Sequence, residues 1–446
     1  MKRPRNPPQV NDLFESVGPD RFAEIVLGGQ INAAPGGHYY HWDQLRHRPP
    51  PEGLSSEEWW LGIKMARQLG RRALPLMNGD GQLFSYVLTD EALSLLQRID
   101  QQAAGRIGLP EDVVNPRDRT RYVVAGLMEE AIASSLLEGA ATTRRDAKKL
   151  LRSDRSPRTP AERMVFNNYQ TMMYISRDPT APLTAETVFE IHRMVTEATL
   201  ERPEGAGRMQ QSGEERVKVG HFIDPDPAYH VPPPAEELPG LMDSMVSFAN
   251  DLESEPFVHP VVRAIALHFY LAYLHPFVDG NGRTARALFY RSLLRQGYWL
   301  AEYLSISRLL RRAPVQYGKA FLHTETDDAD FTYFLLHQLD ALHRSIEELW
   351  GYLETKAAEV RQAERALRGS PDFNHRQIAL LSKALRRPDA IYTFRSYQTT
   401  HGVTYPTAHG DLSDLYQRGL LERHKVGRQY RFVPVAETVM DLFANL

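Results

Sequence analysis

Apolar residues in this chain recur mostly at intervals of three and four, and that spacing predicts helices over most of its length. SSEEWWLGIKMARQL (55–69) opens on serine and acid, as a helix N-terminus does. LPLMNGDGQLFSYVL (74–88) is predicted to be a hairpin around Asn78-Gly79-Asp80-Gly81, and TDEALSLLQRIDQQ (89–102) returns to helix. From about Asp118 helical signals dominate. DRTRYVVAGLMEEAIASSLLEG stops at Gly139. TPAERMVFNNYQTMM begins with Thr159, Pro160 at the first helical position and Glu162 three residues after the threonine, a capping box. TAETVFEIHRMVTEATL (184–200) is helical. A polar stretch rich in proline and glycine follows from Glu201 to Pro234, with EERVKVGHFI (214–223) as a short hairpin in its middle. Helices resume with AEELPGLMDSMVSFANDL and VVRAIALHFYLAYL. The second is apolar almost all round, which predicts the central buried helix. Ala329 to Leu367 reads as one long helix or two. Three short helices then precede a hairpin, LLERHKVGRQYRFVP, turning near Val426-Gly427.

Composition narrows the partners more than the fold. At 446 residues the chain exceeds a single ordinary core, so two or three domains are expected. A formal charge of −3 supplies no global basic field to attract nucleic acid, so any such contact needs a local patch. Cysteine is absent, which excludes disulfides, thiolate metal sites and cysteine nucleophiles and fits a cytoplasmic setting. MKRPRNPPQVNDLF has no apolar core of a signal peptide, and no stretch approaches the length of a membrane span.

The densest chemistry lies in LHPFVDGNGRTAR, Leu274 to Arg286. Pro276 biases His275 away from helix, so the buried helix should stop there and present the imidazole from a rigid base. Gly280-Asn281-Gly282-Arg283 then leads into TARALFYRSLLRQG, a new helix. Glycines before a helix N-terminus let backbone N–H groups converge on an anion, and the helix dipole favours negative charge there. Arg283 and Arg286 lie three apart near that terminus, and arginine forks match phosphate oxygens. Cations there oppose the dipole unless an anion sits between them. Asp279 adds an acid, which suits a phosphate site only with a hard cation such as Mg²⁺ between. A Mg²⁺–polyphosphate cradle with a histidine base accounts for all these groups. No GxxxxGK[ST] occurs, so the site is not a Walker loop.

His275 to Arg286 resembles the signature of the Fic family, HPFx(D/E)GNGRxxR, at every specified position. The resemblance extends over about Asp118 to Ser345 and includes YHVPPP at Tyr229 to Pro234. It implies a protein adenylyltransferase that moves AMP from ATP to a Tyr, Thr or Ser hydroxyl of a target protein, itself included. By this likeness His275 would take the hydroxyl proton. Asp279 would hold Mg²⁺. Asn281, Arg283 and the amides of Gly280 and Gly282 would hold phosphates, Arg286 would meet the γ-phosphate, and Phe277 would anchor the loop. EERVKVGHFI would be the flap that pairs with an extended target segment.

SSLLEG (134–139) carries a second match. Taken alone, Glu138 before a glycine helix cap is a solvated acid whose charge opposes the dipole. The likeness makes Ser134-x-x-x-Glu138-Gly139 the family's inhibitory motif, in which Glu138 pairs with Arg286 and displaces the γ-phosphate. In some relatives that glutamate supports AMP removal, so deadenylylation stays open beside transfer.

The expected architecture is mainly α. An N-terminal α+β module (1–115) precedes a Fic-type helical core (116–345) with its small hairpin flap and inhibitory helix. A linking helix (346–371) and a C-terminal winged helix (372–446) follow. That last segment holds ten Lys/Arg and seven Asp/Glu, a modest excess. Arg423, Lys425, Arg428 and Arg431 surround the expected wing, and Thr404-Tyr405-Pro406 would open a recognition helix. Contact with DNA and contact with protein both stay open. A competing function is a DNA-binding regulator whose core only senses nucleotide.

Overall fold

A computed structural model of the chain describes residues 2–28, 31–104, 116–153, 155–220, 229–386, 390–426, 429–435 and 438. The polypeptide divides into two compact units. One comprises Met1–Gly105 with Val124–Ile346, and the other Arg106–Val123 with Glu347–Leu446. The boundary expected at residue 115 falls outside the described residues.

The first unit is built around α7 (Pro260–Leu274), whose residues are buried except for Pro260 and Ala272, which are partly buried. Its N-cap is His259, whose Nδ1 accepts the Val261 N–H while Nε2 donates to Asp100 at 3.0 Å. Around it in chain order stand α1 (Ser56–Leu69), the hairpin β1 (Arg71–Met77) and β2 (Leu83–Val87), and α2 (Asp90–Ala103). Then come α3 (Pro116–Leu137), α4 (Pro160–Arg177), α5 (Ala185–Thr196) and α6 (Leu238–Asn250). After α7 follow α8 (Asn281–Arg295), α9 (Pro314–Thr326) and the start of α10 (Thr332–Gly369), whose residues from Glu347 onward belong to the second unit. No helix among the described residues is long and apolar enough to cross a membrane.

The N-terminal elements pack directly onto this core. Phe84 sets its ring edge-on to Phe269, Tyr270 and Tyr273 of α7. The hairpin turn is held by the Tyr273 hydroxyl, which accepts the Gly79 N–H at 2.9 Å. Ser85 exchanges backbone hydrogen bonds with Ala329 and Phe331, extending the hairpin by one parallel bridge to Asp330. Beneath them lies a buried charged cluster. Lys64 Nζ is 2.7 Å from Asp327 Oδ1, and the Tyr333 hydroxyl joins Asp327 and Arg67, each at 2.7 Å. The Arg67 guanidinium also stacks 3.6 Å over the Tyr39 ring, and Tyr39 donates to Asp330.

Two local expectations change. The capping box at Thr159 forms only by half. Thr159 Oγ1 accepts the Glu162 N–H, but the Glu162 carboxylate takes Arg155 in a two-pronged ion pair and the Arg158 N–H. A charged fork outcompetes the neutral cap N–H, and it holds the Glu162 carboxyl down at about 2. The flap segment shows one antiparallel bridge, Val219 to His230, so its arms close farther along the chain than 214–223 implies. His221, Phe222 and Ile223 lie outside the described residues.

In the second unit α11 (His375–Arg386), α12 (Phe394–His401) and α13 (Tyr405–Gln417) surround Leu381, Tyr397, Leu412, Leu415 and Phe432. Strands β3 (Leu421–Val426) and β4 (Gln429–Pro434) pair antiparallel, with Phe432 turned into this core. Asp411 ties the helices together through Arg376 at 2.8 Å, Asn374 and the Tyr397 hydroxyl. Gly427 and Arg428, at the hairpin tip, lie outside the described residues.

Removing Asp327 takes the buried carboxylate from both Lys64 and Arg67 and leaves Lys64 only the partly exposed Asp328 at 2.8 Å. Asp327→Ala is expected to destabilise the first unit by about 3–5 kcal/mol, read as a lower urea midpoint. A midpoint shift no larger than that of a surface alanine substitution would contradict this account.

Candidate active site

His275 ends α7 in a left-handed conformation, φ 44° and ψ 52°. For a non-glycine residue that geometry costs about 1–2 kcal/mol, so surrounding contacts must hold it. The His275 N–H still reaches Leu271 O, while Pro276 has no N–H with which to continue the helix. Nδ1 lies 3.3 Å from the carbonyl of Ala272. A carbonyl only accepts, so Nδ1 carries the proton and Nε2 keeps its lone pair. Burial first, then the neighbouring His230, pushes this imidazole down to about 4. At neutral pH the ring is therefore uncharged and able to accept a proton.

The next five residues, Pro276 to Gly280, fold into a loop tied to α5. Phe277 is fully buried, and its ring stacks on His192 with centroids 3.7 Å apart and planes 6° from parallel. His192 Nδ1 accepts the Gly207 N–H at 2.9 Å, which leaves Nε2–H to donate to Asp279 O at 2.8 Å. Burial holds His192 down at about 4, as this neutral tautomer requires. Asn281 closes the loop from the other end. Its side chain accepts the Phe277 N–H at 3.0 Å and donates to Phe277 O at 2.8 Å. The amide expected to meet phosphate thus also shapes the loop.

Gly280 is the N-cap of α8, at φ 82°, and its own N–H donates to the Asp279 carboxylate. Among the described residues no side chain caps the N–H groups of Asn281 and Gly282, and such donors suit an anion. Arg283 is buried, with Nη1 on Val195 O at 2.7 Å and Nη2 3.2 Å from Asp279 Oδ2. Its Nε has no partner among the described residues. Asp279 itself is largely exposed at its carboxylate. The structure therefore brings His275, Asp279, Gly280, Asn281, Gly282, Arg283 and Arg286 into one loop–helix junction.

The end of α3 reaches the same junction. Arg286 Nε donates to Ser134 Oγ at 2.9 Å, and Nη2 donates to Glu138 Oε1 at 2.8 Å. The Glu138 carboxylate lies against Gly282, where a side-chain carbon would collide with it. An acid thus already stands at the positive end of α8. About two turns before Glu138 along α3 is Glu130, which the sequence did not single out. It is buried and accepts from Tyr290 at 2.9 Å, Ser305 at 3.0 Å and Ser307. Burial pushes its carboxyl up. The signal was available, since Glu130, Ser134 and Glu138 repeat every four residues on one helical stripe. His192 gave no comparable signal, because a histidine among helical apolar positions looks like any core residue.

This junction sets a helix N-terminus beside a neutral histidine. Residues 182–293 match the model of the Fic/DOC family, and the chain carries a Fic domain. Over 116 residues it is 35% identical to a protein adenylyltransferase Fic of Nematostella vectensis, covering 26% of this chain and 24% of that protein. It is 38% identical to the protein of the same name from Aedes aegypti, covering 26% and 20%. The chain thus spans about a quarter or less of the length of these relatives. A crystal structure of a Fic family protein from Desulfovibrio desulfuricans G20 superposes with a TM-score of 0.52 at 19% identity, over 78% of this chain and 98% of that one. That likeness is one of fold.

Gly280 offers a direct test of the loop. An alanine there is strained by its φ, and its Cβ would lie 2.6 Å from Thr196 Cγ2. Gly280→Ala is expected to cost more than the 1–2 kcal/mol or so of backbone strain alone. Gly81→Ala shares the positive φ but meets nothing within 4 Å, and isolates that backbone component in parallel thermal melts. Equal melting shifts in the two variants would refute the close approach of loop and α5.

Proposed function

We propose that this chain is a protein adenylyltransferase restrained by its own α3. The observation that carries the reading is the neutral His275 beside an uncapped α8 N-terminus whose buried Arg286 is already engaged by Glu138. In the proposed reaction His275 Nε2 takes the proton of a Tyr, Thr or Ser hydroxyl on a target protein as that oxygen attacks the α-phosphorus of ATP. The bond from the α-phosphorus to the β-bridging oxygen breaks, pyrophosphate leaves, and AMP stays on the hydroxyl. The α8 N–H groups and the Arg283 and Arg286 guanidiniums would orient the phosphates and offset their charge. The incoming negative charge would also raise His275 from its depressed value, improving it as a base.

No cluster of three or more acidic or histidine side chains suited to a metal occurs among the described residues. One exposed carboxylate, Asp279, does fit Mg²⁺ that arrives with a polyphosphate, because this ion keeps waters and takes few protein ligands. Bound there, it would neutralise phosphate charge.

Glu138 acts in this reading as an internal substitute for the terminal phosphate, since it holds the arginine and the space over Gly282. The C-terminal helices and hairpin are read as a winged helix serving as a contact module. A purely nucleotide-sensing core would need no unprotonated histidine at the loop, which favours transfer over sensing.

The test is incubation with α-labelled ATP and Mg²⁺. Label should appear on protein with Glu138→Gly, less with the wild type, and none with Glu138→Gly/His275→Ala, which should still bind ATP. Loss of the base is expected to lower the rate by ~10²–10⁴-fold. Equal labelling by wild type and Glu138→Gly would remove the restraint, and undiminished labelling by the double variant would remove the mechanism.

A further inference from the structure

Resting on the transfer reading above, we propose that Arg216 is a positioning residue for His275, stapling the base to the segment that leads into the flap. Arg216 stands in EERVKV, where it looks like one more surface charge. In the fold its guanidinium is half-buried and aimed at the end of α7. Nη2 donates to Leu274 O at 2.8 Å and to His275 O at 3.2 Å. Nε donates to Pro233 O at 2.8 Å, and Nη1 to the Gln210 side chain. The Gln210 N–H in turn holds Pro276 O at 2.8 Å, and its side-chain amide donates to Glu215 O. One side chain therefore joins three stretches of backbone: the catalytic turn, the proline-rich approach and the flap stem.

The chemistry of that turn calls for such a group. The last carbonyls of α7 carry the negative end of the helix dipole, and Pro276 prevents another turn from satisfying them. A cation with several fixed N–H directions can bond two of them and still reach a third strand. A lysine supplies the charge without the fork. The contacts to Leu274 O and His275 O fall on the two carbonyls that flank the left-handed residue, so they bear on the conformation that presents Nε2.

Arg216 also belongs to the charge environment of the base. The groups facing His275 are His230 from the approach segment, Glu138 from α3 and Arg216 from the stem. Glu325 stands behind His230 at 2.7 Å, and Arg286 behind Glu138. Burial and His230 depress the imidazole, Arg216 adds to that depression, and Glu138 opposes it. Removing the guanidinium should therefore both loosen the turn and let His275 titrate higher.

The experiment uses the full chain carrying Glu138→Gly, with Arg216→Gln or Arg216→Lys added. Label incorporation from α-labelled ATP gives the rate at saturating ATP and the concentration for half-maximal rate. Thermal melting reports folding, and NMR follows the His275 ring, assigned by its loss in His275→Ala. Arg216→Gln should lower the saturated rate by ~10–100-fold, the scale of a small misplacement of a catalytic group. The half-maximal ATP concentration should not move. Arg216→Lys should recover part of the rate. The His275 titration should lie higher in Arg216→Gln than in the Glu138→Gly parent and stay low in Arg216→Lys. An unchanged rate in Arg216→Gln would overturn the proposal, as would parallel losses of rate, ATP response and melting temperature in both variants. If the Glu138→Gly parent transfers no label, the transfer reading fails on its own. The ring titration then decides, and a His275 that titrates identically with and without Arg216 overturns the assignment.

Discussion

A helix buried on all sides has no flank on which to carry chemistry. Thirteen of the fifteen residues of α7 are core apolar or buried polar groups, and everything reactive is displaced to its C-terminal end. That burial gives His275 an immobile mount. It also makes the abrupt stop at Pro276 consequential, because the chain must turn at once into the loop that opens α8. The stacked pair of Phe277 and His192 fastens this turn from below, and the Arg216 fork fastens it from the side. The loop is therefore defined by the elements packed around it more than by its own sequence.

Much of this was readable before any coordinates. Apolar residues around the full circumference of 261–274 marked the central helix, because amphipathic spacing fails only where no face meets water. The turn Asn78-Gly79-Asp80-Gly81 marked the hairpin, and the join of proline, glycines and arginines marked the turn from α7 into α8. These signals are local. Each depends on residues within a few positions of one another, so sequence order carries them intact.

What escaped notice depends on distance along the chain. His192 meets Asp279 across 87 residues, and Arg216 meets Leu274 across 58. Neither partner can be inferred from its own neighbourhood. Asn281 carries a role that its place in the motif did not announce. Its amide braces the loop by matching the N–H and C=O of Phe277 four residues earlier, which uses one of its two N–H donors. At Thr159, a short-range rule lost to Arg155, which lies outside the four-residue window the rule considers.

The three-rung stripe along α3 distributes stability unevenly. Glu130 is sealed among four hydroxyl and amide donors in the core, whereas Glu138 lies just past the last helical residue and is partly open to solvent. Helix ends open at far lower free energy than buried interiors. The acid over Gly282 can thus withdraw by fraying a single terminal turn, with the rest of the helix still anchored two turns below. Under the proposed function such an element would behave as a latch on a fixed post, and its release would be a local melting event that leaves the hydrophobic core undisturbed.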